Sequence, residues 1–154
     1  MLHILFICHG NICRSPMAEY LMAELLRREG LDERVTVSSA AVSDEELGND
    51  MSFPARLELT KRHIPAPTRA ARQLTARDGE DYDLLIGMDR ANLSRMERIC
   101  PSAAHKMSLL LTHCGENSSV ADPWYTHNYA EAYRDIERGC LGLLKEIKEN
   151  IYES

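Results

Sequence analysis

The sequence predicts an α/β fold, a small parallel sheet covered by helices on both faces. Three observations carry this. Short apolar runs of strand length, Leu2–Ile7, Val35–Ser39 and Asp83–Gly87, alternate with helical patterns. The first run leads directly into a loop and a helix start. The stretch Ala130–Ile151 carries Tyr133, Ile136, Cys140, Leu143, Leu144, Ile147 and Ile151 at steps of three and four, the spacing of one long amphipathic helix. Strands that alternate with helices need right-handed crossovers, and these put helices on both sides of a parallel sheet.

The elements follow in order. Leu2–Ile7 is the first strand. Ser15 is a good N-cap and Pro16 a good first helical residue, so a helix over Pro16–Glu29 follows. It presents Ala18, Leu21, Met22, Leu25 and Leu26 on one stripe and stops at Gly30. Val35–Ser39 is short and β-branched, a second strand. Ser52–Arg62 reads as a helix with a Pro in its first turn and with Ala55, Leu57 and Leu59 as its apolar residues. Asp83–Gly87 is a third strand, Arg90–Ile99 a helix behind it, and Ala104–Met107 a short fourth strand. One domain over 1–154 is expected, since 154 residues with 44% hydrophobic content suffice for one core and show no linker or repeat.

Composition narrows the function. The formal net charge is −6, against a nucleic-acid surface, which would be basic. No apolar run approaches the roughly 20 residues of a membrane span, and the first residues lack a basic leader, so a cytoplasmic protein that does not bind membranes is expected. Five scattered cysteines, an odd number, argue against a disulfide framework. No Cys/His spacing suits zinc, so no metal or cofactor is expected. The basic residues Arg56, Lys61, Arg62, Arg69, Arg72 and Arg77 form either a solvated surface or, in part, a border to an anion site.

The segment Cys8-His9-Gly10-Asn11-Ile12-Cys13-Arg14-Ser15-Pro16 holds the chemistry. A loop between a strand and a helix start can turn successive backbone N–H groups inward, at the positive end of the helix, and so cradle a phosphate-sized dianion. Arg14 can hold two oxygens at once with its planar fork. The same field favours the thiolate of Cys8. A Cys and an Arg six positions apart can also be a buried thiol and a surface cation. Here the preceding strand, Gly10, an Asn able to take left-handed geometry and the cap that follows favour the anion site. In open parallel sheets ligands bind beyond the C-terminal strand ends, where this loop lies.

These residues resemble the signature loop of the low-molecular-weight protein tyrosine phosphatases. Ser39-Ala40-Ala41-Val42-Ser43-Asp44, Ala71-Arg72-Gln73, Asp83-Leu84-Leu85-Ile86-Gly87-Met88-Asp89 and Asp122-Pro123-Trp124-Tyr125 resemble further family blocks in family order, over nearly the whole chain. The resemblance implies a four-stranded, flavodoxin-like sheet and hydrolysis of phosphotyrosine, or small aryl phosphates, through a phosphocysteine on Cys8. It implies that Arg14 and the amides of His9, Gly10, Asn11, Ile12 and Cys13 bind phosphate. Asp-Pro alone is an ordinary turn former, and the residues by themselves leave the general acid open among many carboxylates; the resemblance assigns Asp122. Trp124 and Tyr125 are either aromatic walls or core packing. By resemblance Ser15 also bonds the Cys8 sulfur, Asn11 braces the loop and Ser39 supports it from behind. Cys13 is either a small packing residue or a thiol that captures oxidised Cys8. A bell-shaped pH profile with an acidic optimum is expected, because Asp122 must be protonated while Cys8 is ionised.

Two departures stand out. Glu45, beside Asp44 and Glu46, occupies a place where the family often has an aromatic flanking the pocket, which disfavours acidic peptides. Arg69 stands where the family often has a His, so the support that His gives the loop must be replaced or is absent. Phosphoarginine phosphatases resemble this loop but carry Thr where Ile12 stands, so Ile12 favours an aryl phosphate. A thiol-dependent arsenate reductase, which resembles the same fold, would need two more cysteines within 74 to 99, which has none. The expected partners are phosphotyrosine proteins, a tyrosine kinase among the candidates, and inorganic phosphate or other oxyanions in the site. A monomer is expected.

Overall fold

The computed structural model describes the backbone of residues 1–153 and the side chains of residues 1–150. The opening apolar run is strand β1 (Leu2–Cys8). It is central, so Ile4, Leu5, Phe6 and Ile7 are all fully buried. Strand β2 (Val35–Ala41) pairs with it in parallel on one side, from Leu2 opposite Val35 to Cys8 opposite Ala41. Strand β3 (Leu84–Gly87) pairs in parallel on the other, Ile4 opposite Leu84 and Ile7 opposite Gly87. Strand β4 (Met107–Leu109) extends β3, giving the order β2-β1-β3-β4. The predicted four-stranded parallel α/β architecture is the one observed.

Alternation along β1 divides the core in two. Ile4 and Phe6, with Ile86, pack among Met17, Leu21 and Met22 of helix α1 (Arg14–Arg28) and Ala55 and Leu59 of α2 (Phe53–Thr60). Leu5 and Ile7, with Leu85, pack among Leu74, Cys100, Ala103 and Met96. Two further helices lie between these segments in the chain, the single turn α3 (Asp78–Asp81) and α4 (Arg90–Ile99), which carries Met96. Each fully buried aliphatic side chain contributes about 1.5–3 kcal/mol. The chain closes with the short helix α5 (Pro123–Thr126) and the long helix α6 (Tyr129–Glu153), whose Tyr133, Ile136, Cys140, Leu143, Leu144 and Ile147 face the first core as their spacing predicts. The side chain of Ile151 lies outside the described residues.

Several boundaries differ from the sequence expectation. The fourth strand begins at Met107; Pro101–Lys106 is 3-10 helix, because Pro101 starts a tight turn and the alanines there have no strand preference. Ser15 does not cap α1. The helix begins at Arg14 with Cys13 as cap residue, and the Ser15 hydroxyl turns back into the preceding loop. Leu57 is 38% exposed, since it lies two residues from both Ala55 and Leu59 and so on the opposite face of α2. Trp124 and Tyr125 lie in a short helix that Pro123 begins, with Asp122 as its N-cap.

Strand β1 is left towards β2 on one side and β3 on the other, so the C-terminal ends of β1 and β3 form the switch-point crevice. Cys8 ends β1, and Asp89 follows β3 by two residues.

Candidate active site

Residues 9–13 join β1 to α1 and wrap the floor of a cavity of about 270 Å³. The loop turns because Asn11 takes φ 60°, a left-handed conformation that Asn tolerates better than most side chains. Its carbonyls are engaged on the outside: that of Cys8 by Val42 N, of His9 by Ser43 N and Oγ, and of Ile12 by Ser52 N. Among the described residues, nothing accepts from the amides of Gly10, Asn11, Ile12 and Cys13. Backbone N–H groups seldom lack a partner, and consecutive free ones, three of them on residues that line the cavity, can cradle an anion.

Cys8 is 3% exposed and lines the cavity. Its sulfur receives the Ser15 amide at 3.4 Å and lies 3.0 Å from Ser15 Oγ. Ser15 Oγ in turn accepts from Asn11 Nδ2 at 2.8 Å, which leaves its own proton for the sulfur. Asn11 Nδ2 also donates to Ser39 Oγ at 2.8 Å, and Ser39 donates to Glu19 Oε1. Burial raises the Glu19 carboxyl above its usual range, against the pull of the Ser39 hydroxyl and of Arg69 and Arg72. Asn11, Ser15 and Ser39 thus stand behind the loop, and their side chains do not line the cavity.

Arg14 is 2% exposed yet reaches the cavity. NH1 donates to Asp89 Oδ2 and to the Val120 carbonyl, both at 2.8 Å, and NH2 to Asp122 Oδ2 at 3.3 Å. Burial opposes its charge, but the Cys8 sulfur, Asp122 and Asp89 outweigh that and hold the guanidinium above its ordinary value. Asp122 has extended backbone, as the following Pro demands. Its Oδ1 accepts from Trp124 N at 3.0 Å, and the carboxylate stands on the same cavity as Cys8.

His9, Gly10, Ile12, Cys13, Glu45, Glu46, Trp124 and Tyr125 complete the lining. Trp124 is 62% exposed and Tyr125 78%, so both stand as rim and neither as core. Glu45 Oε2 holds His9 Nε2 at 3.0 Å across the mouth. Cys13 Sγ meets Ser52 Oγ at 3.3 Å; burial pushes its thiol up despite that contact, and the nearby Cys8 adds to the rise. All five cysteines are free thiols.

The basic residues divide. Arg56 pairs with Asp50, Lys61 and Arg62 with Glu58, Arg72 with Asp78 and Arg77 with Asp81. Arg69 reaches the loop itself, donating from NH1 to the Asn11 carbonyl at 2.6 Å and from NH2 to Asn11 Oδ1. The missing His is therefore replaced. Sequence reasoning missed Asp89 as a partner of Arg14; its place just after a strand that neighbours β1 was the available signal. It also missed Glu19 behind Ser39, which has no local signature; Glu46, expected beside Glu45 at the pocket's flank, lines the wall with it. No cluster of three or more His, Cys, Asp or Glu with metal-holding geometry, and no helix long and apolar enough to cross a membrane, occurs among the described residues.

Residues 3–153 match the family described as Low molecular weight phosphotyrosine protein phosphatase. The chain is 32% identical over 152 residues to the low molecular weight protein-tyrosine-phosphatase YfkJ of Bacillus subtilis, covering 97% of each chain. The crystal structure of YfkJ superposes with a TM-score of 0.94 over 97% of this chain and 96% of that one. Low molecular weight phosphotyrosine protein phosphatase 1 of Drosophila melanogaster is 32% identical over 149 residues, 93% of this chain and 95% of its own. YwlE of Bacillus subtilis, an arginine phosphatase solved with a phosphorylated active-site serine, is similar at 28% identity and a TM-score of 0.87, over 96% of each chain.

Proposed function

Since the chain belongs to the low molecular weight phosphotyrosine protein phosphatase family, and is thereby a phosphoric monoester hydrolase acting on phosphoproteins, we propose that it cleaves phosphotyrosine by way of a phosphocysteine on Cys8. The observation that carries this is the convergence of Cys8, Arg14, Asp122 and the residues of three unpaired loop amides, Gly10, Ile12 and Cys13, on one small cavity.

The Cys8 sulfur attacks phosphorus in line with the leaving phenolic oxygen. The S–P bond forms as the P–O bond breaks, and Asp122 gives its proton to the leaving oxygen. The loop amides and Arg14 hold the three equatorial oxygens, and hold them best as charge redistributes in the transition state. Arg14 needs little reorganisation for this, because Asp89 and the Val120 carbonyl already fix its plane. Water then attacks phosphorus, Asp122 takes its proton, and the S–P bond breaks to return the thiolate and inorganic phosphate. The active-site phosphoserine of YwlE supports the same location for the covalent step.

Exposed Trp124 and Tyr125 offer walls to an aryl ring, and apolar Ile12 offers no acceptor to a guanidinium. Glu45 and Glu46 on the wall favour a second reading, phosphoarginine, whose cation they would complement. Hydrolysis of phosphotyrosine, an aryl phosphate and phosphoarginine by wild type and Cys8→Ser tests both. Cys8-dependent turnover of the aryl substrates with little of phosphoarginine is expected; turnover that survives Cys8→Ser overturns the proposal.

A further inference from the structure

Ser108, His113 and Glu146 form a hydrogen-bonded relay away from Cys8. Ser108 Oγ lies 2.8 Å from His113 Nε2, and His113 Nδ1 lies 2.7 Å from Glu146 Oε2. A carboxylate only accepts, so Nδ1 carries the proton of the neutral ring, and Nε2 accepts from the Ser108 hydroxyl. Three elements converge to build this. Ser108 stands in β4 opposite Ile86, whose side chain faces the first core, so the hydroxyl lies on the α6 side of the sheet. His113 belongs to the 3-10 turn Leu110–Cys114 that follows β4. Glu146 comes from α6, one turn beyond Gly142 and on the same face. A methyl on Gly142 would strike the His113 carbonyl, so this glycine lets the helix backbone close on the turn and brings Glu146 within reach. The His113 side chain is only 13% exposed, so its ring is held by packing as well as by its two hydrogen bonds.

His113 and Glu146 also line a second cavity, of about 610 Å³, larger than the one at Cys8 and sharing none of its described lining residues. Its apolar lining comes from Leu2, Val35 and Leu84, which open β1, β2 and β3, and from Leu143 and Ile147 of α6. It therefore lies at the N-terminal end of the sheet. Leu2 and Cys8 are the two ends of β1, about 20 Å apart. We propose that Ser108, His113 and Glu146 form a second catalytic centre, which hydrolyses carboxylic esters whose aliphatic acyl group occupies this cavity. A nucleophile within reach of a base that a third group orients is the arrangement acyl transfer needs. The cavity has the size of a small-molecule site and an apolar wall for an acyl chain. The Ser108 oxygen attacks the ester carbonyl carbon as His113 Nε2 takes its proton. The C–O bond to the alcohol then breaks, and Nε2 returns that proton to the leaving oxygen. Water attacks the acyl-serine with His113 again as base, and the carboxylic acid leaves as Ser108 regains its proton. Glu146 is a positioning residue: it holds the ring and favours the imidazolium that forms in each step.

An alkyl fluorophosphonate, which loses fluoride to a serine activated by a base, tests this on the intact wild-type chain. The expected result is a phosphonyl adduct on the peptide that holds Ser108, found by mass spectrometry. His113→Ala should slow that labelling about 10²–10⁴-fold, the contribution of a general base. Hydrolysis of p-nitrophenyl esters gives the second readout. From acetate to hexanoate kcat/KM should rise by up to about fourfold for each methylene added to the acyl chain. Ser108→Ala should abolish this activity. Glu146→Gln should lower kcat about tenfold with KM unchanged, and Glu146→Asp should restore part of the loss. Thermal melts show that each variant is folded, and the wild-type labelling needs no variant at all. No adduct at Ser108, ester hydrolysis by folded Ser108→Ala at the wild-type rate, or rates indifferent to acyl length would each overturn the proposal.

Discussion

Arg14 and Asp89 meet at 2.8 Å, NH1 to Oδ2, across 75 positions of sequence. The contact joins the first residue of α1 to the N-cap of α4, across the crevice between β1 and β3. Asp89 serves two ends at once: Oδ2 orients the guanidinium, while Oδ1 accepts from Asn92 N at 2.8 Å and closes a capping box. The roles can be separated. Asp89→Asn keeps a capping oxygen but loses the charge beside Arg14, and should lower kcat about tenfold with little change in stability. Asp89→Ala should lose the cap too, at about 1 kcal/mol. Steady-state kinetics and denaturant melts of the pair check this.

Replacing Arg14 by Lys should cost more. Lys presents a point charge where two phosphate oxygens need a fork, and it cannot bridge Asp89, Val120 and Asp122 together. A loss in kcat/KM of about 10²–10³-fold is expected, the scale of losing one transition-state donor. Competitive inhibition by inorganic phosphate should weaken in parallel.

Asp122→Ala should separate substrates by leaving group. If Asp122 supplies the proton, esters of poor leaving groups lose about 10²–10⁴-fold and esters of nitrophenols far less. Equal losses for both would assign the proton elsewhere. The plot of log kcat against leaving-group acidity is the measurement.

Much of this was legible in the sequence, and the remainder fails for definable reasons. The strand–loop–helix start, the long α6 stripe and the Cys8–Arg14 spacing each depend on neighbours a few residues apart, so the chain displays them directly. The Asp89–Arg14 and Arg69–Asn11 contacts join residues 75 and 58 positions apart and have no local signature. Ser15 shows the opposite error. A hydroxyl before Pro reads as a helix cap, yet a tertiary partner, the Cys8 sulfur, wins its proton. Glycines in α6 were likewise silent. A Cβ on Gly142 would lie 2.3 Å from the His113 carbonyl oxygen, and one on Gly139 2.5 Å from Leu110 Cγ.

That close approach gives a stability prediction of definite sign. In a free helix Gly→Ala stabilises by about 0.5–1 kcal/mol. In Gly142→Ala the new methyl meets backbone, which cannot rotate away, so overpacking of about 1–3 kcal/mol should prevail. Urea melts should show a lower midpoint; a higher one would mean α6 stands off the Leu110–Cys114 turn.

Acid should weaken one tie between α6 and the chain before it. Arg138 holds the Glu116 carboxyl down to about 2 through donors from Nε and NH2. The folded value lies below the unfolded one of about 4.3. The pair therefore stabilises fully above that unfolded value, and its contribution falls away as pH drops towards 2. Glu116→Gln should lower stability in the neutral region, leave it nearly unchanged near pH 2 and so flatten that part of the stability–pH curve, as thermal melts between pH 2 and 6 would record.

Rapid-quench mass spectrometry during turnover of an aryl phosphate is the most direct measurement of all. A mass increase of one phosphoryl group on the peptide containing Cys8, formed and lost on the timescale of turnover, is the predicted result. Turnover without any adduct at Cys8, or with the phosphoryl group on another residue, would contradict it.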